Sequence, residues 1–351
     1  MNIIHGGASH TMKICIIGGG GAIGGYLAVQ LARAGNKVTV VARGATFEAI
    51  HRNGLKLITD EHPEGLTAEV KLTDKIVDAG IQDLVILAMK AHQVSPIAHF
   101  LPSIIGPETV VIPMQNGIPF WYFQRHGGEF ENRVVETVDP NGTIMKTIDP
   151  RQIIGCVVYP AAVTVAPGII KHVEGNRFPI GELDGTTTAR AQLISETFIA
   201  AGFKSPLLEN IRSEIWLKLW GNMTFNPISA LTHGTLIEIC QHPLTRQLAY
   251  DMMTEAQDVA HRLGITFRLG IEKRIEGAEK VGRHKTSMLQ DVEAGRGLEV
   301  DALLGSVIEL GTIVGIPTPR LKAVYALTSL LGQSIDDAKA GLALVRPGNQ
   351  H

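Results

Sequence analysis

Lys218, Asn222 and Asn226 stand at four-residue intervals in the stretch IRSEIWLKLWGNMTFNPISA, residues 211–230. On a helix, positions spaced this way fall within about 80° of one another, on one face. A protonated amine and two side-chain amides would then point one way, a set able to give a proton and to hold the oxygens of a small polar molecule. Trp216, Leu219, Trp220 and Met223 would pack the same helix against a core. A buried helix with a lysine reaching to solvent and two hydrated amides has the same pattern, so the surrounding elements must decide.

The clearest of these elements lies near the start. Lys13–Ile17 is a short apolar run with β-branched residues; it leads into GGGGAIGG at 18–25, a helical pattern over 26–34 and a second strand at Lys37–Val41. Read as GxGxxG, the phase is Gly19, Gly21 and Gly24, with Gly20, Ala22 and Ile23 between them. The first glycine makes the tight turn, the second admits a pyrophosphate to the backbone, and the third lets helix and strand pack closely. A strand, a glycine turn and a helix N-terminus together predict dinucleotide binding, because free N–H groups and the helix dipole favour a diphosphate there. The second strand ends in Val41, Ala42 and Arg43, with no carboxylate for the 2′-hydroxyl of NAD. Arg43 would pair with the 2′-phosphate of NADP, which makes NADP the expected cofactor; a surface arginine after a strand is the alternative.

Alternating segments at 55–59 and 68–72 precede an apolar run, 84–88, that reads as a buried parallel strand and ends at Met89, Lys90, Ala91, His92 and Gln93. Ligands of open α/β sheets bind beyond the carboxyl ends of strands, which is where Lys90 and Gln93 fall. A further strand, 109–112, ends in PMQNG and puts Asn116 in the same place, although Asn-Gly is also a common turn dipeptide. Residues 133–181 are β-rich, with strands expected at 134–138, 155–165 and 168–172 as the outer part of the same sheet, followed by a helix at 187–201. From Glu209 onward the spacing is helical: 210–225, 243–264, 268–281, 287–297, 299–314 and 318–331. Pro227 predicts a kink or an end at Asn226, which could cap a new helix. Ser287 opens a capping-box pattern, and Glu299 and Asp301 lie on a charged segment whose ordinary reading is a solvated face.

The chain has 351 residues, which suggests about two domains, and its 45% hydrophobic and 19% charged residues fit a compact α/β protein. A formal charge of −2 leaves no basic excess for nucleic acid. Cys15, Cys156 and Cys240 lack metal-binding spacing and read as buried thiols in a reducing cytosol; the scattered histidines give no metal site either. No apolar run reaches the roughly 20 residues of a membrane span, so a soluble, cytoplasmic protein is expected. The expected division is an extension at 1–11 without internal order, a dinucleotide-binding domain at 12–207, an all-helical domain at 208–332 and a tail at 333–351. The apolar helices of the second domain could form a homodimer surface.

GxGAxGG at 19–25, LAMKAHQV at 87–94, QNG at 115–117, WLKLWGNMTFNPISALT at 216–232 and SMLQDVEAGRGLEVD at 287–301 together resemble the ketopantoate reductases, also called 2-dehydropantoate 2-reductases, over residues 12 to about 331. The run 18–21 departs from that family's pattern by one extra glycine. The resemblance implies an N-terminal Rossmann-type domain and an all-α C-terminal domain like that of 6-phosphogluconate dehydrogenase. It implies NADPH-dependent reduction of 2-dehydropantoate to pantoate, in pantothenate biosynthesis. It makes Lys218 the proton donor to the keto oxygen. Asn116, Asn222, Asn226 and Ser287 become substrate-binding residues, and Glu299 orders lysine, substrate and nicotinamide ribose. Lys90 and Gln93 would line the cofactor site. A relative acting on another 2-keto acid and a non-catalytic NADP-binding sensor are the alternatives.

Overall fold

The computed structural model describes residues 11–344. The expected extension 1–11 lies outside them except for Thr11, as do the last residues of the expected tail. The chain forms two compact units: one of residues up to Met89, Pro96–Gln115 and Lys146–Ile211, the other of Lys90–Ser95, Asn116–Met145 and the chain from Arg212 on. The change of hydrophobic period at Glu209 marks the main passage between them. It gives no sign that 90–95 and 116–145 belong with the later unit.

In the first unit the chain runs β1 (Lys13–Ile17), α1 (Ala22–Arg33), β2 (Lys37–Val41), α2 (Gly44–Asn53), β3 (Lys56–Ile58), β4 (Leu66–Thr67), β5 (Lys71–Thr73), β6 (Gln82–Leu87), β7 (Ile105–Pro113), β8 (Ile154–Cys156), β9 (Ala161–Ala166), β10 (Ile169–Glu174), β11 (Ile180–Glu182) and α3 (Ala189–Ala200). Five strands form a sheet in the order β5-β2-β1-β6-β7, parallel throughout. Ile14, Ile16, Val40, Leu84, Ile86 and Ile112 are fully buried in it, as continuous apolar runs in a parallel sheet require. The order reverses between β1 and β6, so the turn after β1 lies at the switch point of a doubly wound fold.

The later strands do not extend that sheet as expected. β4, β3, β10 and β9 make a second sheet, β11 and β8 a third, and a single parallel bridge, Val111 to Ile153, adjoins β7. Residues 134–138 form turns rather than a strand. Val135 and Val138 are buried individually, an apolar pattern that a packed loop shares with a strand. Cys15, Cys156 and Cys240 are buried and free.

The second unit carries α4 (Ile211–Thr232), α5 (Leu236–Gln241), α6 (Pro243–Arg262), α7 (Ile271–Val281), α8 (Ser287–Glu293), α9 (Ser306–Val314) and α10 (Pro319–Ala338). A π-turn at Asp301–Gly305 leads directly into α9. α4 runs on through Pro227 to Thr232, so the helix does not end at Asn226. Trp216, Leu219, Trp220 and Met223 are buried before the proline and Ile228 and Ala230 after it, so packing outweighs the one backbone bond that proline removes. α10 also continues to Ala338, six residues into the expected tail, with Ile335 buried.

Two neighbouring glycines of α1 differ in what crowds them. A Cβ on Gly24 would collide with the backbone carbonyl of Gly18, whereas one on Gly25 would meet the Ile170 side chain at 2.6 Å. A backbone carbonyl yields less than the Ile170 side chain, although the nearest atom there is Cγ1 rather than the tip. Gly24→Ala is therefore expected to cost roughly 1–3 kcal/mol in urea unfolding, and Gly25→Ala less. Equal losses would contradict the packing described.

Candidate active site

In the first unit the turn after β1 is built almost wholly from positions that exclude a side chain. Gly18 has φ +83° and its N–H donates to the carbonyl of Val41 at 3.2 Å. The left-handed residue is thus Gly18, one position before Gly19, to which the spacing assigns the tight turn. Gly19 instead lies against Val40, and a Cβ on Gly20 would collide with the methyl of Thr46. This accommodates the extra glycine, and Gly24 keeps its expected role of close packing. Gly21 is the N-cap of α1 and offers no side-chain bond, and the first turn has no acidic residue. The N–H groups opening α1 therefore have no capping side chain, as a helix end suited to a diphosphate needs. Arg43 follows β2 directly, is exposed, and makes no ion pair among the described residues.

In the second unit, α4 is the spine. Its start is fixed by Arg212, a buried guanidinium that donates to the carbonyls of Tyr122 at 2.8 Å and Gln124 at 2.7 Å. One turn on, the Trp216 indole N–H donates to the Tyr122 hydroxyl at 2.7 Å. Burial pushes that hydroxyl's pKa up to about 12, so it stays neutral. These three bonds tie α4 to the segment 116–145. The motif reading passed over Arg212, yet a cation in the first turn of a helix opposes the dipole and is a local sign of a tertiary partner.

Half a turn beyond Trp216, the half-buried Lys218 extends its amine to Asn116, whose Oδ1 accepts from Nζ at 2.7 Å. The same amide donates through Nδ2 to Glu299 Oε2 at 3.4 Å. Burial is the largest influence on the Glu299 carboxyl and raises its pKa above the usual carboxylate value; Lys90, the Asn116 bond and Lys218 counter this in part, and Asp291 adds to it. Lys90 donates to Asp291 Oδ2 at 2.9 Å and to the carbonyl of Gly297 at 2.6 Å. Asp291 also accepts from Arg296 at 2.7 Å. Gln93 is exposed, its Oε1 accepting from the Lys90 N–H at 3.0 Å. Lys218, Asn116 and Glu299 thus form one hydrogen-bonded chain, and the Lys90–Asp291 pair acts on Glu299 through its charges. Asp291 appeared in the sequence only as a letter of a block, since its partner is 201 residues away.

Further along α4, Asn226 is 7% exposed and donates to Ser287 Oγ at 3.5 Å, the long limit for such a bond. Neither residue is a helix cap. Asn226 lies inside α4, and α8 is capped by Thr286, whose hydroxyl accepts from the Leu289 N–H at 3.3 Å. Ser287 is the first helical residue and is exposed; with Thr286 beside it, the sequence offered two hydroxyls for one cap. Asn222 lies half-buried between the other two amide positions and makes no hydrogen bond among the described residues. From Lys218 to Asn226 the face covers about 12 Å of helix, a span that suits a small acid rather than a polymer. A cavity of about 200 Å³ lies beside Glu299, lined also by His92, Ser95, Thr137 and Asp301.

Comparison with known proteins accords with this arrangement. A model of the family "Ketopantoate reductase PanE/ApbA" matches residues 14–185, and one of its C-terminal part matches residues 210–331. The 2-dehydropantoate 2-reductase of Mesorhizobium japonicum is 50% identical over 321 residues, 91% of this chain and 98% of that protein. The chain belongs to the ketopantoate reductase family. A structure assigned as a ketopantoate reductase from Ralstonia solanacearum MolK2 superposes with a TM-score of 0.88 at 40% identity, covering 93% of this chain and 99% of the other. The 2-dehydropantoate 2-reductase of Geobacter metallireducens GS-15 does so at 0.78 and 25% identity, over 90% and 99%. Ketopantoate reductases are nicotinamide-dependent oxidoreductases acting on CH–OH groups, and this chain is an enzyme of that class. Among the described residues no helix is long and apolar enough to cross a membrane.

The raised pKa of Glu299 fixes a sign. The folded protein holds this proton to a higher pH than the unfolded chain does, so the contribution is complete below the unfolded value and is lost as pH rises through the folded one. Glu299→Gln does not titrate. Its melting temperature relative to the parent protein should therefore rise between pH 4 and pH 7, and an opposite trend in thermal melts would show that the nearby lysines dominate.

Proposed function

We propose that this enzyme reduces 2-dehydropantoate to pantoate with NADPH, as a step of pantothenate biosynthesis. The observation that carries the reading is the bond from Lys218 to Asn116 and on to Glu299, beside two further amide positions on the same helix face. Reduction of a ketone builds negative charge on its oxygen, which calls for a proton donor and for fixed N–H dipoles close by. Lys218 supplies the proton. Asn116, Asn222 and Asn226 hold the carbonyl and hydroxyl oxygens of the substrate, and Ser287 contributes its exposed hydroxyl. Glu299 steadies Asn116, and through it the amine.

The turn 18–21 with Ala22, Ile23 and Gly24 fits the diphosphate of a dinucleotide, and Arg43 suits the additional phosphate of NADP. When bound, that cofactor supplies the hydride. Lys90 and Gln93, with Asn116 and Glu299, line its reactive end; Lys90 is held for this by Asp291.

Oxidation of NADPH by 2-dehydropantoate, compared with a panel of branched 2-keto acids and repeated with NADH, tests both parts. Lys218→Ala should lower turnover by roughly 10² to 10⁴ while cofactor binding persists, and parental turnover in that variant would defeat the role given to the lysine. Arg43→Ala should weaken NADPH roughly 10- to 100-fold and leave NADH little changed, as loss of one charge-assisted phosphate contact requires. Preference for NADH in the unaltered enzyme would remove Arg43 from the cofactor site.

A further inference from the structure

Asn116 can serve both Lys218 and Glu299 only if its amide is held at one angle, and its two neighbours in the chain are what hold it. Gln115 sits at the end of β7. Its Nε2 donates to the carbonyl of Leu87 at 2.7 Å and to that of Met89 at 3.1 Å, while its buried Oε1 has no partner among the described residues. Two carbonyls at one end of the amide settle its orientation, since the flipped amide would set oxygen against oxygen. The backbone is thereby fixed immediately before both Lys90 and Asn116.

On the other side, Gly117 has φ +90°, and a Cβ there would collide with the carbonyl of Ala302. The Ile118 N–H donates to that same carbonyl at 3.0 Å. Ala302 lies in the π-turn that begins two residues after Glu299. A backbone bond two residues from Asn116 and three from Glu299 therefore sets the distance between those side chains. Glycine's lack of a Cβ is what permits the approach.

We infer that Gln115 and Gly117 are positioning residues for the proton-donor group: the glutamine fixes where Asn116 leaves the sheet, and the glycine lets it reach the segment of Glu299. The inference rests on the reading of Lys218 and Asn116 proposed above. Gln115→Met keeps length and volume but removes both donors. It should lower kcat by tenfold to roughly 10²-fold, the effect of a small misplacement.

A double-mutant cycle separates positioning from general destabilisation. In an Asn116→Ala background, Gln115→Met should cost less than about threefold more, because the residue it positions is already gone. Full multiplication of the two effects would overturn the inference. Hydrogen exchange supplies a readout independent of turnover: the Ile118 amide should lose protection in Gln115→Met, and unchanged protection would likewise overturn it. If the unaltered enzyme reduced no 2-keto acid, the proposed function would fall, while the exchange result would still decide whether Gln115 fixes this segment.

Discussion

An amide is polar at both ends and carries no charge, and the proposed proton-donor group depends on where Asn116 puts those two ends. Its oxygen meets the ammonium of Lys218 and its nitrogen meets the carboxyl of Glu299. A lysine or a carboxylate at position 116 could satisfy one partner and would repel the other. The rest of the second unit supports this arrangement. Arg212 and Trp216 tie α4 to the segment that carries Asn116, Asp291 holds Lys90, and the π-turn brings Ala302 beneath Gly117.

The same group sets the local electrostatics. Two lysines and two carboxylates lie close together, and burial, more than any neighbouring charge, raises the pKa of the Glu299 carboxyl. Asp291 is bonded by two cations and remains a plain ion-pair partner. A carboxyl shifted by burial beside lysines is a setting often found where proton transfer is arranged.

What could be read in the sequence was what is local. The strand, turn and helix from Lys13 to Arg33 announce themselves through period and glycine content, and the face of α4 follows from four-residue spacing. What escaped depends on residues far apart. The link from Lys90 to Asp291 has no sequence-local sign, and a packed loop at 134–138 alternates as a strand does. Choices between neighbours also escaped: Thr286 rather than Ser287 caps α8, and Gly18 rather than Gly19 takes the positive φ. Pro227 does not end α4 because local preference counts for less than the side chains buried before and after it, Trp220 and Met223 on one side and Ile228 on the other.

The second unit is gathered from three stretches of chain, and two of them lie inside the sequence that otherwise builds the first. This limits how such a protein can be recombined. A genetic crossover near residue 208 looks like a clean exchange of halves, yet it would deliver Lys218 from one parent and Asn116, Tyr122 and Lys90 from the other. The donor group would then join side chains that had not been selected together. Inheritance of this chemistry is therefore bound to the whole chain rather than to either half, and drift at Asn116 or Tyr122 must be answered on α4.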